Sequence, residues 1–481
     1  MWVWGWLLAG SFSLAVGADP SPRTELPDTP LGRRVSVFVD AFQKADRPGI
    51  VGFFEQNLSA QALSQRPAAE RADRIVRLRT DLGQVTVRRA DERPPTSLVV
   101  ILEGERQRLS KLTFDFAPAP PHHLLGIKVD DADADDLAGP PRPMTESEAL
   151  TAIEQAVSEA AAADTFSGVV LVARDGCPLL HKAWGLASRE FAVANRPDTR
   201  FNLGSINKLF TQVALGQLLG QGRVSLDDPL GKHLPDYPNR EAASRVTIRH
   251  LVEMRSGIGN IFGPKFEATP KDRLRRNADF LPLFAAEPLL FEPGKESRYS
   301  NGGYVVLGEV IARVSGEDYH DYVRKHIFQP AGMADTDSYE ADAVVPNLAE
   351  GYTRDEEGER ASNAARRRNI YSRPARGSAA GGGYSTAEDL LRFASALLAD
   401  RLLTPAWTDW IVARVEPAAG RPPADRTRGG IAYTGGAPGI NAALELDRDP
   451  AWTLIVLAND DPPTATRMAK KVRRLIDAIQ N

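Results

Sequence analysis

Strand-forming segments stand at the two ends of one long stretch of this chain, and what lies between them reads mainly as helix and loop. Gly168-Val169-Val170-Leu171-Val172 and Pro178 to Trp184 are apolar enough for strands, and Asp175-Gly176 between them favours a hairpin turn. Strand character returns only at Ala442 to Leu446 and Thr453 to Leu457, followed by an amphipathic helix over Met468 to Ile479. Segments so far apart can bury their apolar faces only against each other. The prediction is one antiparallel sheet joined from both ends, flanked by helices, with a helical insertion beside it: an α+β fold. Thr145 and Glu148 form a capping box that opens the first helix of this unit, running to about Ala163.

Ahead of that unit the pattern changes. Val35, Phe38, Val39 and Phe42 repeat at helical spacing, and after Arg47-Pro48-Gly49 the residues Ile50, Phe53 and Phe54 resume it, which predicts two helices. The period then falls to two at Val85 and Val87, Leu98 to Leu102, Leu112 to Phe116, and Leu125, Ile127 and Val129, predicting four strands. Helices followed by an antiparallel sheet make a second, small α+β domain over residues 28–130, and in order and size it resembles the cone-shaped nuclear-transport-factor-like (SnoaL-like) fold. An acidic run and then Gly139-Pro140-Pro141-Arg142-Pro143 predict a linker at 131–143, leaving 144–481 as the larger domain. Residues 1–18, apolar and closing on Val16-Gly17-Ala18, read as an export signal, which implies a periplasmic or secreted protein with no membrane span in the mature chain.

The candidate chemistry lies in Phe201-Asn202-Leu203-Gly204-Ser205-Ile206-Asn207-Lys208-Leu209-Phe210. Ser205 is the only serine in the chain followed three residues later by lysine. On a helix that spacing puts hydroxyl and amine on one face. Leu209, Phe210, Val213, Leu215, Leu218 and Leu219 make the helix apolar almost all round, so Lys208 is expected to be buried. Burial lowers a lysine pKa, and such an amine can take the proton of a serine nucleophile. A helix start adds unpaired backbone N–H groups suited to an oxyanion.

Composition removes other classes. A net charge of −4 gives no field that draws in nucleic acid, and the Arg366-Arg367-Arg368 triplet reads as a solvated loop. The single cysteine, Cys177, excludes an intramolecular disulfide and a cysteine-based zinc site. His122 and His123 lie in a Pro-rich turn without further ligands, so no metal and no cofactor is expected.

Two further stretches join Ser205-Ile206-Asn207-Lys208: Tyr299-Ser300-Asn301, and Tyr433-Thr434-Gly435-Gly436. In this order, with Leu226-Asp227-Asp228-Pro229, Phe291-Glu292-Pro293-Gly294 and Gly382-Gly383-Tyr384-Ser385-Thr386 around them, the chain from about Met144 resembles the serine β-lactamase and penicillin-binding-protein family, its class C and esterase-like branch. The resemblance implies an acylated Ser205, a base at Lys208, a proton relay through Tyr299 as phenol or phenolate, and an oxyanion hole from the amides of Ser205 and Gly436. It also implies contacts to substrate from Asn301, Tyr433, Thr434 and Gly435.

Two departures stand out. Tyr433 replaces the cation with which β-lactamases engage a substrate carboxylate, so neutral acyl substrates and a pH optimum above neutrality are expected. Met254-Arg255-Ser256-Gly257 replaces a polar run of the family and reads as structural. The function expected is a serine hydrolase forming an acyl-enzyme on a small-molecule or peptide ester or amide. A β-lactamase or D-alanyl-D-alanine carboxypeptidase is the nearest alternative, and a non-catalytic binder of cell-wall peptides or acyl compounds is an alternative of another class.

Overall fold

The computed structural model describes residues 25–480, apart from 94–95, 106–107, 140, 357–358, 361–364, 418–428 and 450. The expected export signal at 1–18 lies outside the described residues. The chain divides into two compact units, Met1–Pro141 and Arg142–Asn481.

In the first unit, helices α1 (Pro30–Gln43), α2 (Arg47–Asn57), α3 (Ala60–Gln65) and α4 (Ala68–Leu82) precede strands β1 (Thr86–Arg93), β2 (Ser97–Glu103), β3 (Leu109–Phe116) and β4 (Leu124–Asp131). The strands form an antiparallel meander in the order β1-β2-β3-β4. Phe38 lies at the centre of its core, with Phe42, Phe53, Phe54 and Phe114 around it. Four helices stand where periodicity predicts two. The inner face of α4 carries Ala72, Ile75, Arg79 and Leu82, so one of its core positions is an arginine. Arg79 is buried and donates to the carbonyls of Phe42 and Gln43 at the end of α1 and of Gly83 at the end of α4. A register shift at Asp115/Phe116 turns Leu124 inward and leaves Leu125 exposed, against the simple alternation. The acidic run is not a plain tether. Asp133 and Asp136 close a capping box on a short helical turn, Ala134–Ala138, whose Asp136 lies 3.6 Å from Lys111 of β3.

In the second unit the capping box of Thr145 and Glu148 opens α5 (Glu146–Ala162). Strands β5 (Gly168–Arg174) and β6 (Cys177–Trp184) turn at Asp175 and Gly176, both at positive φ. Helix α6 (Asn207–Gly220), helix α7 (Asn301–Ser315) and helix α8 (Ala387–Leu398) follow, and the chain ends in β7 (Gly430–Ala437), β8 (Ile440–Asp447), β9 (Trp452–Ala458) and α9 (Thr464–Ile476). The five strands form one antiparallel sheet in the order β7-β8-β9-β5-β6. Both ends of the unit thus meet in one sheet, as the strand placement predicts. Val170, Val172, Leu454 and Val456 point to the side of α5 and α9, while Val169, Leu171, Ile455 and Leu457 point into the large helical core. With both faces covered, β5 and β9 carry apolar residues at nearly every position. Helix α6 runs through that core, with twelve of its fourteen residues buried, and delivers its first turn to the edge strand β7.

The arginine triplet is not a solvated loop throughout. Arg366 is largely buried on Asp164 and Asp460, whose carboxylates offset the cost of covering it. Arg367 and Arg368 pair as backbone with Thr353 and Tyr352.

Candidate active site

Ser205 sits in a 3-10 turn, Gly204–Ile206, immediately before α6 rather than within it. The turn is pinned on two sides. Leu203 N donates to Gly383 O at 2.8 Å, and Phe201 and Asn202 pair with Ser385 and Tyr384. On the other side the edge strand β7 presses against the turn at Gly435. A Cβ at that residue would stand 1.9 Å from Leu203 O and 2.9 Å from Ser205 N, so no side chain fits. Gly204 adopts φ 51°, a left-handed conformation, and faces the amide of Gly436. Strand and turn therefore bring the backbone of Gly436 up to that of Ser205, the pairing an oxyanion hole requires.

Lys208 follows one turn on and is 3% exposed. Its Nζ donates to Ser205 Oγ at 3.1 Å, to Asn301 Oδ1 at 2.7 Å and to the carbonyl of Ala380. Burial brings its pKa down from 10.5 to about 7. No neighbouring cation is needed for that, so the absence of a lysine at 433 does not by itself move the working range above neutrality. The neutral amine keeps two N–H groups for Asn301 and Ala380 and turns its lone pair to Ser205. Activity that depends on this free base should rise with pH through an acidic limb near pH 7, because the ammonium form, dominant below it, has no lone pair. A kcat/KM profile from pH 5 to 9 measures the limb; a flat profile across pH 6–8 would exclude Lys208 as the base.

Tyr299 stands opposite. Its hydroxyl is 2.6 Å from Ser205 Oγ, and its ring lies 4.8 Å from Lys208 Nζ. Partial burial raises the phenol pKa, against the smaller effect of the Ser205 hydrogen bond, so the resting group is phenol and not phenolate. The middle residue of Tyr299-Ser300-Asn301 is structural. Ser300 is the N-cap of α7, accepting from Gly303 N at 2.8 Å and donating to Gly259 O at 2.9 Å. Its cap fixes the chain so that Tyr299 lies just outside the helix and Asn301 in its first turn. Asn301 Nδ2 donates to Asn260 Oδ1 at 3.0 Å, which holds the amide with its oxygen towards Lys208. Met254 also serves this turn, accepting from Ser300 N at its sulfur.

Two cavities meet at Ser205 and Tyr299. The larger, about 370 Å³, is lined by Asn301, Thr434 and Gly436 and walled by Phe262, Tyr339, Arg373, Arg376 and Tyr384. The smaller, about 330 Å³, is lined by Lys208, Gln212, Tyr304, Arg414, Tyr433 and Thr434. Of the residues expected to contact substrate, Asn301 and Thr434 line the larger cavity. Tyr433 lines only the smaller one, and its hydroxyl donates to Gln212 Oε1 at 2.7 Å. Gln212 in turn donates to Tyr304, which donates to Val252 O. Gly435 lines neither and acts through close packing. Sequence reasoning misses Asn260, Gln212, Arg414 and the Ala380 carbonyl. The glycine-rich text at 381–383 marks the segment beside the Ser205 turn but not the Ala380 carbonyl that bonds Lys208. Among the described residues no group of acidic, histidine or cysteine side chains has the arrangement of a metal site.

Residues 153–478 match the family model described as Beta-lactamase. The chain is 32% identical over 187 residues to the putative penicillin-binding protein PbpX of Bacillus subtilis, covering 39% of this chain and 45% of that relative, less than half its length. It is 28% identical over 332 residues to penicillin-binding protein 4* of the same organism, covering 63% of this chain and 70% of the relative. Among solved structures, a penicillin-binding protein from Bacillus halodurans superposes with a TM-score of 0.57 at 29% identity, covering 66% of this chain and 98% of that one. Together with the antiparallel sheet, its flanking helices and the buried Lys208 beside Ser205, the match over 153–478 places this chain in the beta-lactamase family.

Proposed function

We propose that this protein is a serine hydrolase that forms an acyl-enzyme on an ester or amide, with Ser205 as nucleophile, Lys208 as base and Tyr299 as proton carrier. One observation carries the reading: a lysine buried to 3% exposure, inside a helix core, with its Nζ 3.1 Å from the hydroxyl of a serine that opens on a cavity. A buried amine is costly, and a chemical task accounts for its position. In the proposed sequence neutral Lys208 takes the Ser205 proton as Oγ attacks the substrate carbonyl. The amides of Ser205 and Gly436 hold the oxyanion. Collapse breaks the ester or amide bond, and the proton on Lys208 passes, directly or through Tyr299, to the departing oxygen or nitrogen. Water then enters, loses a proton to the same pair and releases the acid.

The test is an active-site fluorophosphonate followed by mass mapping. Covalent labelling at Ser205, lost in Ser205→Ala, is the expected result; an intact protein that stays unlabelled would favour the binder of cell-wall peptides. Turnover of p-nitrophenyl esters against nitrocefin and D-Ala-D-Ala peptides separates the esterase from the β-lactamase and carboxypeptidase alternatives.

The first unit we read as a SnoaL-like domain over 28–130, supported by helices packed on one face of a four-stranded meander, and the whole as an exported protein. Among the described residues no helix is long and apolar enough to cross a membrane. The proposed boundary predicts that a fragment beginning at Arg142 is soluble and retains ester hydrolysis. A folded but inactive fragment would mean that the first unit is needed for the site, and an unfolded one that the boundary is misplaced.

A further inference from the structure

The acyl-enzyme reading leaves the substrate open, and the inference here rests on that reading. We propose that the larger cavity takes an acyl group bearing an anionic substituent, a carboxylate, with Arg373 and Arg376 as its counter-charges. Proton delivery decides which part of the substrate occupies which cavity. A leaving group must be protonated as it departs; Tyr299 borders both cavities, but Lys208, the base that holds the proton, lines only the smaller one, beside Tyr433. The leaving group therefore departs on that side. The acyl group, retained on Ser205 with its oxygen towards Gly436, occupies the larger cavity, which Gly436 lines.

The larger cavity contains two arginines and no aspartate or glutamate among its lining residues. Nearby acids are already engaged elsewhere: Asp335 with Arg200, Asp337 with Arg324, and Glu340 and Asp342 with Arg275. Arg373 donates to the hydroxyl of Tyr384, and its Nε is buried with no partner. Arg376 is anchored by one bond, Nε to the Ser338 carbonyl at 2.7 Å. Neither guanidinium has a carboxylate partner among the described residues. Two cations in a partly apolar recess, walled by Phe262, Ile261 and Phe280 without a counter-ion, form a site for a planar anion. The missing cation at Tyr433 bears on the smaller cavity alone, so it does not make the acyl side neutral.

Two esters of equal carbon count test this: p-nitrophenyl hexanoate and the mono-p-nitrophenyl ester of adipic acid, with kcat/KM measured at low and high salt. The wild type should prefer the adipyl ester by about ten- to a hundredfold, less at high salt. Arg373→Gln should bring the ratio towards one, Arg376→Gln should lower it, and Arg373→Lys should retain part of it, with melting temperatures checking each fold. A wild-type ratio near one, or a ratio unchanged in both glutamine variants, overturns the proposal while leaving the hydrolase reading intact. Failure of Ser205 to label with fluorophosphonate overturns both. If Ser205 labels but neither ester turns over, protection from labelling decides: adipate must protect better than hexanamide, and equal protection overturns the proposal.

Discussion

Ser205→Ala is expected to remove turnover by on the order of 10³–10⁵-fold, Lys208→Ala to remove nearly as much, and the double variant to be little worse than either. The reason is geometric. Ser205 Oγ lies 3.1 Å from Lys208 Nζ and 2.6 Å from Tyr299 OH, so nucleophile and base share one proton and neither works without the other. What survives comes from the oxyanion amides and from holding the substrate, which both variants keep. Lys208→Ala also strips Asn301 Oδ1 and the Ala380 carbonyl of their donor. Each buried acceptor left open costs about 1–3 kcal/mol, while removing an amine that burial disfavours recovers part of it. The fold should survive, and circular dichroism with melting temperature checks that before kinetics are compared. Near-normal ester turnover by Lys208→Ala at pH 7.5, or strictly additive losses in the double variant, would show that another group is the base.

How far the sequence carries depends on what each residue must do. The Ser205-x-x-Lys208 pair is legible because a lysine amid apolar helix positions is too costly to bury without a task, and the sheet is legible because β5 and β9 carry apolar residues at nearly every position. The inward face of α4 is not legible. Its buried Arg79 serves carbonyls at the end of α1 and at its own C-cap, and a charged residue at a core position hides the period. Tyr299-Ser300-Asn301 is legible as a unit but not as a division of labour. Ser300 is a helix cap, and recognising it depends on where α7 begins. The arginines are the hardest class. Arg366 against two carboxylates, Arg373 in a cavity and Arg367 on a surface ladder read alike in sequence, because only the fold decides which acid each one meets. Tyr433 marks the same limit, since its motif gives its position on β7 but its hydrogen bond to Gln212 on α6 belongs to the packing.

Gly435→Ala should lower kcat by about 10²–10³-fold with Ser205, Lys208 and Tyr299 all unchanged. The added methyl would stand 1.9 Å from Leu203 O and 2.9 Å from Ser205 N, and both are backbone atoms that cannot rotate away. Relief must come from moving β7 off the nucleophile turn. β7 is the edge strand of its sheet and, among the described strands, pairs with β8 alone, so it can shift where a central strand could not. The shift separates the Gly436 amide from the Ser205 amide. Losing one oxyanion donor has a cost of the size just given, whereas an overpacked contact elsewhere lowers stability by about 1–3 kcal/mol without selecting the chemical step. The discriminating readout is therefore kcat against KM on one ester, set beside the rate of fluorophosphonate labelling. Both rates should fall while KM changes little. Full activity in Gly435→Ala would mean that β7 does not press on the turn as described and that the oxyanion hole does not depend on Gly436.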